Sequence, residues 1–263
     1  MKKIFFTCYL TFAIVLLEAQ QTEKIYLSGT DKDVTVEWDF FCTKGRNSGY
    51  WTKIAVPSCW ETQGFGSYNY GRDRQFADEH GLYRHRFSLP SSVRGKRVFI
   101  VFEGSMTDTE VKINGKPAGP VHQGAFYLFR YDITGLVNPG KINLLEVNVS
   151  KMSANKSVNQ AEREADYWIF GGIFRPVYLE IVPDEFIEHI AIDARSDGSF
   201  EAHILLNKSI SSKVLTATIQ TLDGQLIANL PEIKTGRGQT TAVIRGKLTI
   251  LSHGALNFRT FTM

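Results

Sequence analysis

Ala165-Asp166-Tyr167-Trp168-Ile169-Phe170-Gly171-Gly172-Ile173-Phe174-Arg175-Pro176-Val177 is the stretch on which the reading of this chain turns. Tyr167, Trp168, Phe170 and Phe174 surround a Gly171-Gly172 pair, with Asp166 before it and Arg175 after it. Bulky rings flanking two residues that tolerate positive φ predict a tight bend pressed against other backbone. Such a bend needs a rigid scaffold. Asp166 then has two possible roles, facing a ligand or completing the fold.

The scaffold is legible on either side of that stretch. Val98-Phe99-Ile100-Val101-Phe102 is a continuous apolar run, while Glu110-Val111-Lys112-Ile113 and Leu145-Glu146-Val147-Asn148-Val149 alternate with period two. Asn114-Gly115 is a type I′ hairpin signature, and Asn138-Pro139-Gly140 marks another connection. The best helical candidate past residue 20 is a short one between Asn155 and Asp166. Short strands separated by glycine-rich turns predict an all-β chain with a jelly-roll β-sandwich over residues 25–183. Near Val182-Pro183-Asp184 the texture changes to plainer alternation in Ile187–Ala194, Phe200–Leu206 and Val214–Leu222, with Asp197-Gly198 and Asp223-Gly224 as turns. Residues 184–263 therefore read as a second, immunoglobulin-like β-sandwich. They fall short of the roughly 100 residues that fold uses, so it is expected to be incomplete.

The composition is that of a globular protein, 43% hydrophobic and 22% charged. Thirty basic residues face 27 acidic ones with no long basic run, so there is no electrostatic case for a nucleic-acid partner. Met1 to Ala19 joins Lys2 and Lys3 to an apolar run ending in a small residue, which predicts a cleaved signal peptide, a secreted or periplasmic protein, and no membrane span after cleavage. Cys8 lies within that leader. Cys42 and Cys59 are expected to be buried free thiols, and neither sits in a metal-binding or redox spacing, so no metal or cofactor is expected.

Residues 63–81 form a long segment, Q-G-F-G-S-Y-N-Y-G-R-D-R-Q-F-A-D-E-H-G, preceded by Trp60. Its length and aromatic content point to a functional loop rather than disorder. Aromatic faces pack on pyranose C–H groups while Asn, Asp and Arg answer hydroxyls, so the loop is suited to carbohydrate. Taken singly, Trp60, Phe65, Tyr68 and Tyr70 read better as plugs for the end of the sandwich. The acidic pairs Asp78-Glu79 and Asp108 with Glu110 read as solvated faces.

These residues resemble glycoside hydrolase family two, which includes β-galactosidases and β-glucuronidases. The resemblance runs through Val56-Pro57-Ser58-Cys59-Trp60, Gly81-Leu82-Tyr83-Arg84-His85-Arg86-Phe87, Val111-Lys112-Ile113-Asn114-Gly115-Lys116, His122-Gln123-Gly124-Ala125-Phe126 and Tyr131-Asp132-Ile133-Thr134 to Asp166-Tyr167-Trp168 and Gly171-Gly172-Ile173-Phe174-Arg175. It implies a sugar-binding-type jelly roll, then an immunoglobulin-like sandwich, then a TIM barrel with two catalytic glutamates. Retaining glycosidases place two carboxyl groups about 5 Å apart across the scissile bond. The family's acid/base glutamate follows an Asn, and no Asn-Glu pair occurs here. The chain is therefore expected to hold no catalytic residue and to be inactive alone. By the same resemblance, Asp166 occupies the position that reaches into the barrel's active site to contact substrate hydroxyls. Asn69, Tyr70 and Arg72 are lesser substrate-binding candidates from the long loop. Arg175, His122 and Asn114 read as structural.

The segment from His253 to Phe261 does not read like a strand of that family. Taking each third base of its codons with the next two can yield W-S-A-E-L-P-N-L-Y, close to the family's closing motif, which predicts a shifted reading frame near His253 and a truncated chain. The expected function is the non-catalytic amino-terminal portion of a secreted glycoside hydrolase, with carbohydrate as partner in the complete enzyme. A free-standing carbohydrate-binding module is an alternative. So is a structural or assembly domain, packing on a catalytic barrel or forming a homo-oligomer.

Overall fold

In the computed structural model, residues 22–67, 78–164, 169–209, 214–221, 223–248, 256–257 and 261–262 are described. The chain divides into two compact units, Thr22–Glu185 and a second beginning at Phe186. Both are built from antiparallel strands, as the period-two patterning requires.

The first unit contains β1 (Glu23–Tyr26), β2 (Val36–Cys42), β3 (Trp51–Val56), β4 (His80–Ser88), β5 (Arg97–Phe102), β6 (Asp108–Ile113), β7 (Lys116–Pro117), β8 (Phe129–Asp132), β9 (Ile142–Ser150), the helix α1 (Lys156–Glu162) and β10 (Val177–Val182). One sheet has the order β3-β2-β4-β9-β6-β7 and the other β1-β10-β5-β8. Alternation decides which side chains meet between them: β9 sends Leu145, Val147 and Val149 inward, β2 sends Trp38, Phe40 and Cys42, and β10 supplies Val177, Leu179 and Ile181. The apolar run of β5 is buried on both faces. At the β6–β7 turn, Asn114 and Gly115 take φ values of 53° and 77°, the left-handed pair that a type I′ hairpin demands. The helical candidate is realised as α1, whose N-cap Asn155 accepts a hydrogen bond from the Ser157 amide at 3.0 Å.

The second unit contains β11 (Ile187–Ala194), β12 (Ser199–Leu206), β13 (Val214–Thr221), β14 (Leu226–Asn229), β15 (Ile233–Lys234), β16 (Thr241–Lys247), β17 (Leu256–Asn257) and β18 (Phe261–Thr262). One sheet runs β11-β12-β16; in the other, β13 pairs with β14 and β15 and also with β17 and β18. Two antiparallel sheets enclosing one core make this unit a β-sandwich. Gly198 and Gly224, with φ of 83° and 92°, close the turns read at Asp197-Gly198 and Asp223-Gly224. Among the described residues its packed cluster is Ala202, Ile204, Leu206, Leu215, Ala217 and Ile244, with Phe200 and Ile219 also buried. No helix among the described residues is long and apolar enough to cross a membrane.

Buried apolar area is what offsets chain entropy, and among the described residues the first unit has by far the larger buried apolar cluster. Limited proteolysis is therefore expected to cut within residues 186–263 first and leave a resistant fragment ending near Glu185. Equal resistance of the two units would contradict this.

Candidate functional site

The Gly171-Gly172 bend lies pressed between two other segments, as its composition predicts. The Trp60 amide donates to Gly171 O at 3.0 Å, the Ser58 amide to Ile173 O at 2.8 Å, and the Met106 amide to Gly172 O at 2.8 Å. A Cβ on Gly171 would stand 2.1 Å from Trp60 Cζ2, so the fully buried indole occupies the space a side chain would need. Gly172 has a φ of 126°. Trp60 and Phe65 are both core residues and serve as the plugs expected of them.

Beneath this bend lies a buried ionic cluster. The Lys151 ammonium stands 2.9 Å from Glu61 Oε1 and 3.1 Å from Glu79 Oε2, and all three side chains are at most 1% exposed. Both Glu61 oxygens accept from the Gly171 amide, at 3.1 and 3.0 Å. Lys151 also donates to Ser67 O, and the Ser67 hydroxyl donates to Glu79. Burial pushes the Glu61 carboxyl above its ordinary range, opposed by Lys151 and by the Gly171 amide. The cluster thus ties Ser67 and Glu79, which flank residues 68–77, to Gly171, which follows residues 165–168.

The far side of the bend is held differently. Glu162, at the end of α1, accepts from the Ala125 amide at 2.7 Å, and Arg163 Nε donates to Thr107 Oγ1 at 2.8 Å. Asp108 Oδ2 accepts from the Ala154 amide at 2.8 Å and from Gln123 Nε2 at 3.3 Å. Arg163 and Gly171 therefore anchor the two sides of the segment that contains Asp166. Asp166, Asn69, Tyr70 and Arg72 themselves lie outside the described residues, as does the stretch around His253.

The residues read as structural have structural partners. Arg175 Nη1 points at Glu103 O (3.5 Å) and Phe126 O (3.4 Å), a clamp on carbonyls, with its guanidinium over the Phe174 ring. His122 stacks on Phe129 at 3.8 Å, its Nε2 is 3.0 Å from Gly124 O, and burial lowers its pKa. Asn114 donates to Leu136 O and Asn143 Oδ1 while its own oxygen accepts from the Leu144 amide. Cys42 and Cys59 are unpaired; Cys42 is buried and Cys59 less enclosed. Burial, aided by the charge of Glu61, pushes the Cys59 thiol up to about 12.

Two acids depart from expectation. Asp78 and Glu110 lie toward solvent, but Glu79 and Asp108 are buried at 1% and 6% exposure rather than solvated. Glu79 continues the inward parity of Gly81 and Tyr83, and Lys151 that of Val147 and Val149. Extending the strand pattern by one residue at each end was the available signal, and the polarity of these side chains masks it.

Replacing Lys151 by Met leaves two buried carboxylates without a cation and is expected to cost about 3–5 kcal/mol. Glu61→Gln keeps an acceptor for Gly171 and leaves Lys151 paired with Glu79, so its cost is expected to be about 1 kcal/mol at neutral pH. Because the folded carboxyl titrates above its ordinary 4.5, ionising Glu61 lowers stability as pH rises from that value through the folded pKa. The difference between wild type and Glu61→Gln should accordingly be less unfavourable to the variant at pH 7 than at pH 4. Urea midpoints at the two pH values test both points, and equal losses for the two variants would contradict them.

A profile of the glycosyl hydrolases family 2 sugar binding domain matches residues 33–183. A β-galactosidase of Thermoanaerobacter pseudethanolicus is 35% identical over 144 residues, covering 52% of this chain and 19% of that protein. A β-galactosidase of Halalkalibacterium halodurans is 27% identical over 212 residues, covering 73% of this chain and 20% of that protein. The crystal structure of Bacteroides uniformis β-glucuronidase matches with a TM-score of 0.62 at 23% identity, covering 87% of this chain and 28% of that one, a likeness of fold. The chain thus spans about a fifth of the length of the curated relatives it matches. With more than half of its residues inside that profile, the chain belongs to glycoside hydrolase family 2, through its sugar binding domain.

Proposed function

We propose that this chain is the amino-terminal, non-catalytic portion of a secreted β-galactosidase-like glycoside hydrolase, in which Asp166 contacts hydroxyls of a terminal β-linked sugar held mainly by a catalytic barrel. The observation that carries the reading is the buried Lys151–Glu61–Glu79 cluster. It fixes the flanks of residues 68–77 and the Gly171 side of residues 165–168 to one rigid point, an arrangement suited to holding hydroxyl-binding side chains in place. The β-galactosidase names of the relatives supply the substrate class. Catalysis needs an acid/base and a nucleophile carboxyl facing each other across the glycosidic oxygen, and Glu61 and Glu79 are instead committed to one buried lysine.

The purified chain is expected to leave a chromogenic β-galactoside intact. Grafted in place of the corresponding unit of a family β-galactosidase, residues 22–185 should support hydrolysis, and Asp166→Ala in that hybrid should lower kcat/KM by about 10–100-fold, the worth of a charge-assisted hydrogen bond. Hydrolysis by the chain alone, or a hybrid indifferent to Asp166→Ala, would overturn the proposal.

A further inference from the structure

The outward face of the six-stranded sheet carries a second arrangement of chemistry, set by cross-strand register. One row across β3, β2, β4, β9 and β6 reads Trp51, Phe41, Leu82, Asn148, Glu110. The next reads Lys53, Asp39, Arg84, Glu146, Lys112. An aromatic and aliphatic strip therefore runs beside a ladder of alternating charge. The ladder is paired within itself, Lys53 with Asp39 at 2.6 Å and Arg84 with Glu146 at 3.3 Å, while Lys112 reaches across to Glu110 at 2.9 Å. Between the rows is an open cavity of about 240 Å³ lined by Trp51, Leu82, Arg84, Glu146 and Asn148 among others.

We infer that this face is a glycan-binding site of its own, distinct from the Gly171-Gly172 bend, and that its ligand is a neutral pyranoside. Arg84 lies over one face of the Trp51 indole, 4.3 Å from the ring centre, and Trp51 keeps 43% of its surface exposed. Arg84 and the Phe41 ring, 5.7 Å away, brace the indole, and the surface it keeps exposed is available to sugar C–H groups. Arg84 spends only Nε on Glu146, and Asn148 only Oδ1 on His80. Guanidinium and amide N–H groups remain for hydroxyl oxygens, and the carboxylates of Glu146 and Glu110 can accept from hydroxyl hydrogens.

Charge complementarity selects the ligand class. Arg84 and Lys112 are matched one for one by Glu146 and Glu110, so an anionic sugar would meet as many carboxylates as cations. A neutral polyol uses both kinds of partner. The cavity is smaller than the roughly 300 Å³ at the lower end of ligand pockets, which limits it to about one ring, with a longer glycan continuing along the strip. A shallow site of one ring implies a Kd on the order of 1 mM.

Titrate the full chain with methyl β-D-galactopyranoside, methyl β-D-glucopyranoside and glucuronic acid, following heteronuclear NMR shifts. Saturable binding of at least one neutral glycoside is expected, with shifts at Trp51, Leu82 and Asn148 and weaker or no binding of glucuronic acid. Trp51→Ala should weaken it about tenfold and Trp51→Phe much less, with the rest of the spectrum preserved as evidence of folding. Asp166→Ala should leave it unchanged, which separates this site from the one proposed above. Absence of binding, tighter binding of glucuronic acid, or loss of binding on Asp166→Ala with Trp51→Ala indifferent would each overturn the inference.

Discussion

One ammonium group, that of Lys151, carries two buried carboxylates from distant parts of the chain. Charges so enclosed are tolerated only when their hydrogen-bonding capacity is filled, and here Ser67, Gly171 and the acids themselves fill it. The arrangement is costly as a source of stability and valuable as a source of position. An apolar replacement could fill the same volume, but it could not hold the Gly171 amide and Ser67 to the same point.

The aromatic core does complementary work. Trp60 lies flat beneath Gly171, where no side chain fits, so the Gly-Gly bend is held from below by shape and beside by charge. Arg163 on Thr107 and Glu162 on the Ala125 amide add polar ties on the opposite side. Both supports come from core-facing groups of the sandwich. The outer face of the six-stranded sheet follows a different rule: its side chains brace one another across neighbouring strands, with no buried ionic support.

Much of the fold is legible in the chain because period two declares itself locally. Leu145, Val147 and Val149 announce an inward face, and Asn114-Gly115 announces its turn by the backbone angles only such residues take easily. Glu79 and Lys151 carry the same inward parity, yet their polarity reads as exposure, because nothing nearby reveals that each will meet the other across a gap of 72 positions. The two rows on the outer sheet are hidden for a related reason: Trp51 and Arg84 become neighbours only once β2 lies between their strands. Arg175, His122 and Asn114 were readable as structural because each sits beside a bend or hairpin whose carbonyls and amides need partners.

The edge strand β1 has consequences for how the molecule is made. Glu23 faces Ile181 and Tyr26 faces Tyr178, so the earliest described strand of this unit waits for its latest one. On a ribosome, nearly the whole unit must emerge before its four-stranded sheet can close. Until then β5 lacks the partner along one of its edges, and such a delay exposes strand edges to other chains. β10 pairs with both β5 and β1, so the two ends of the unit lie side by side. A unit closed in this way can be placed at the head of a longer polypeptide, or within one, without disturbing its own sheet.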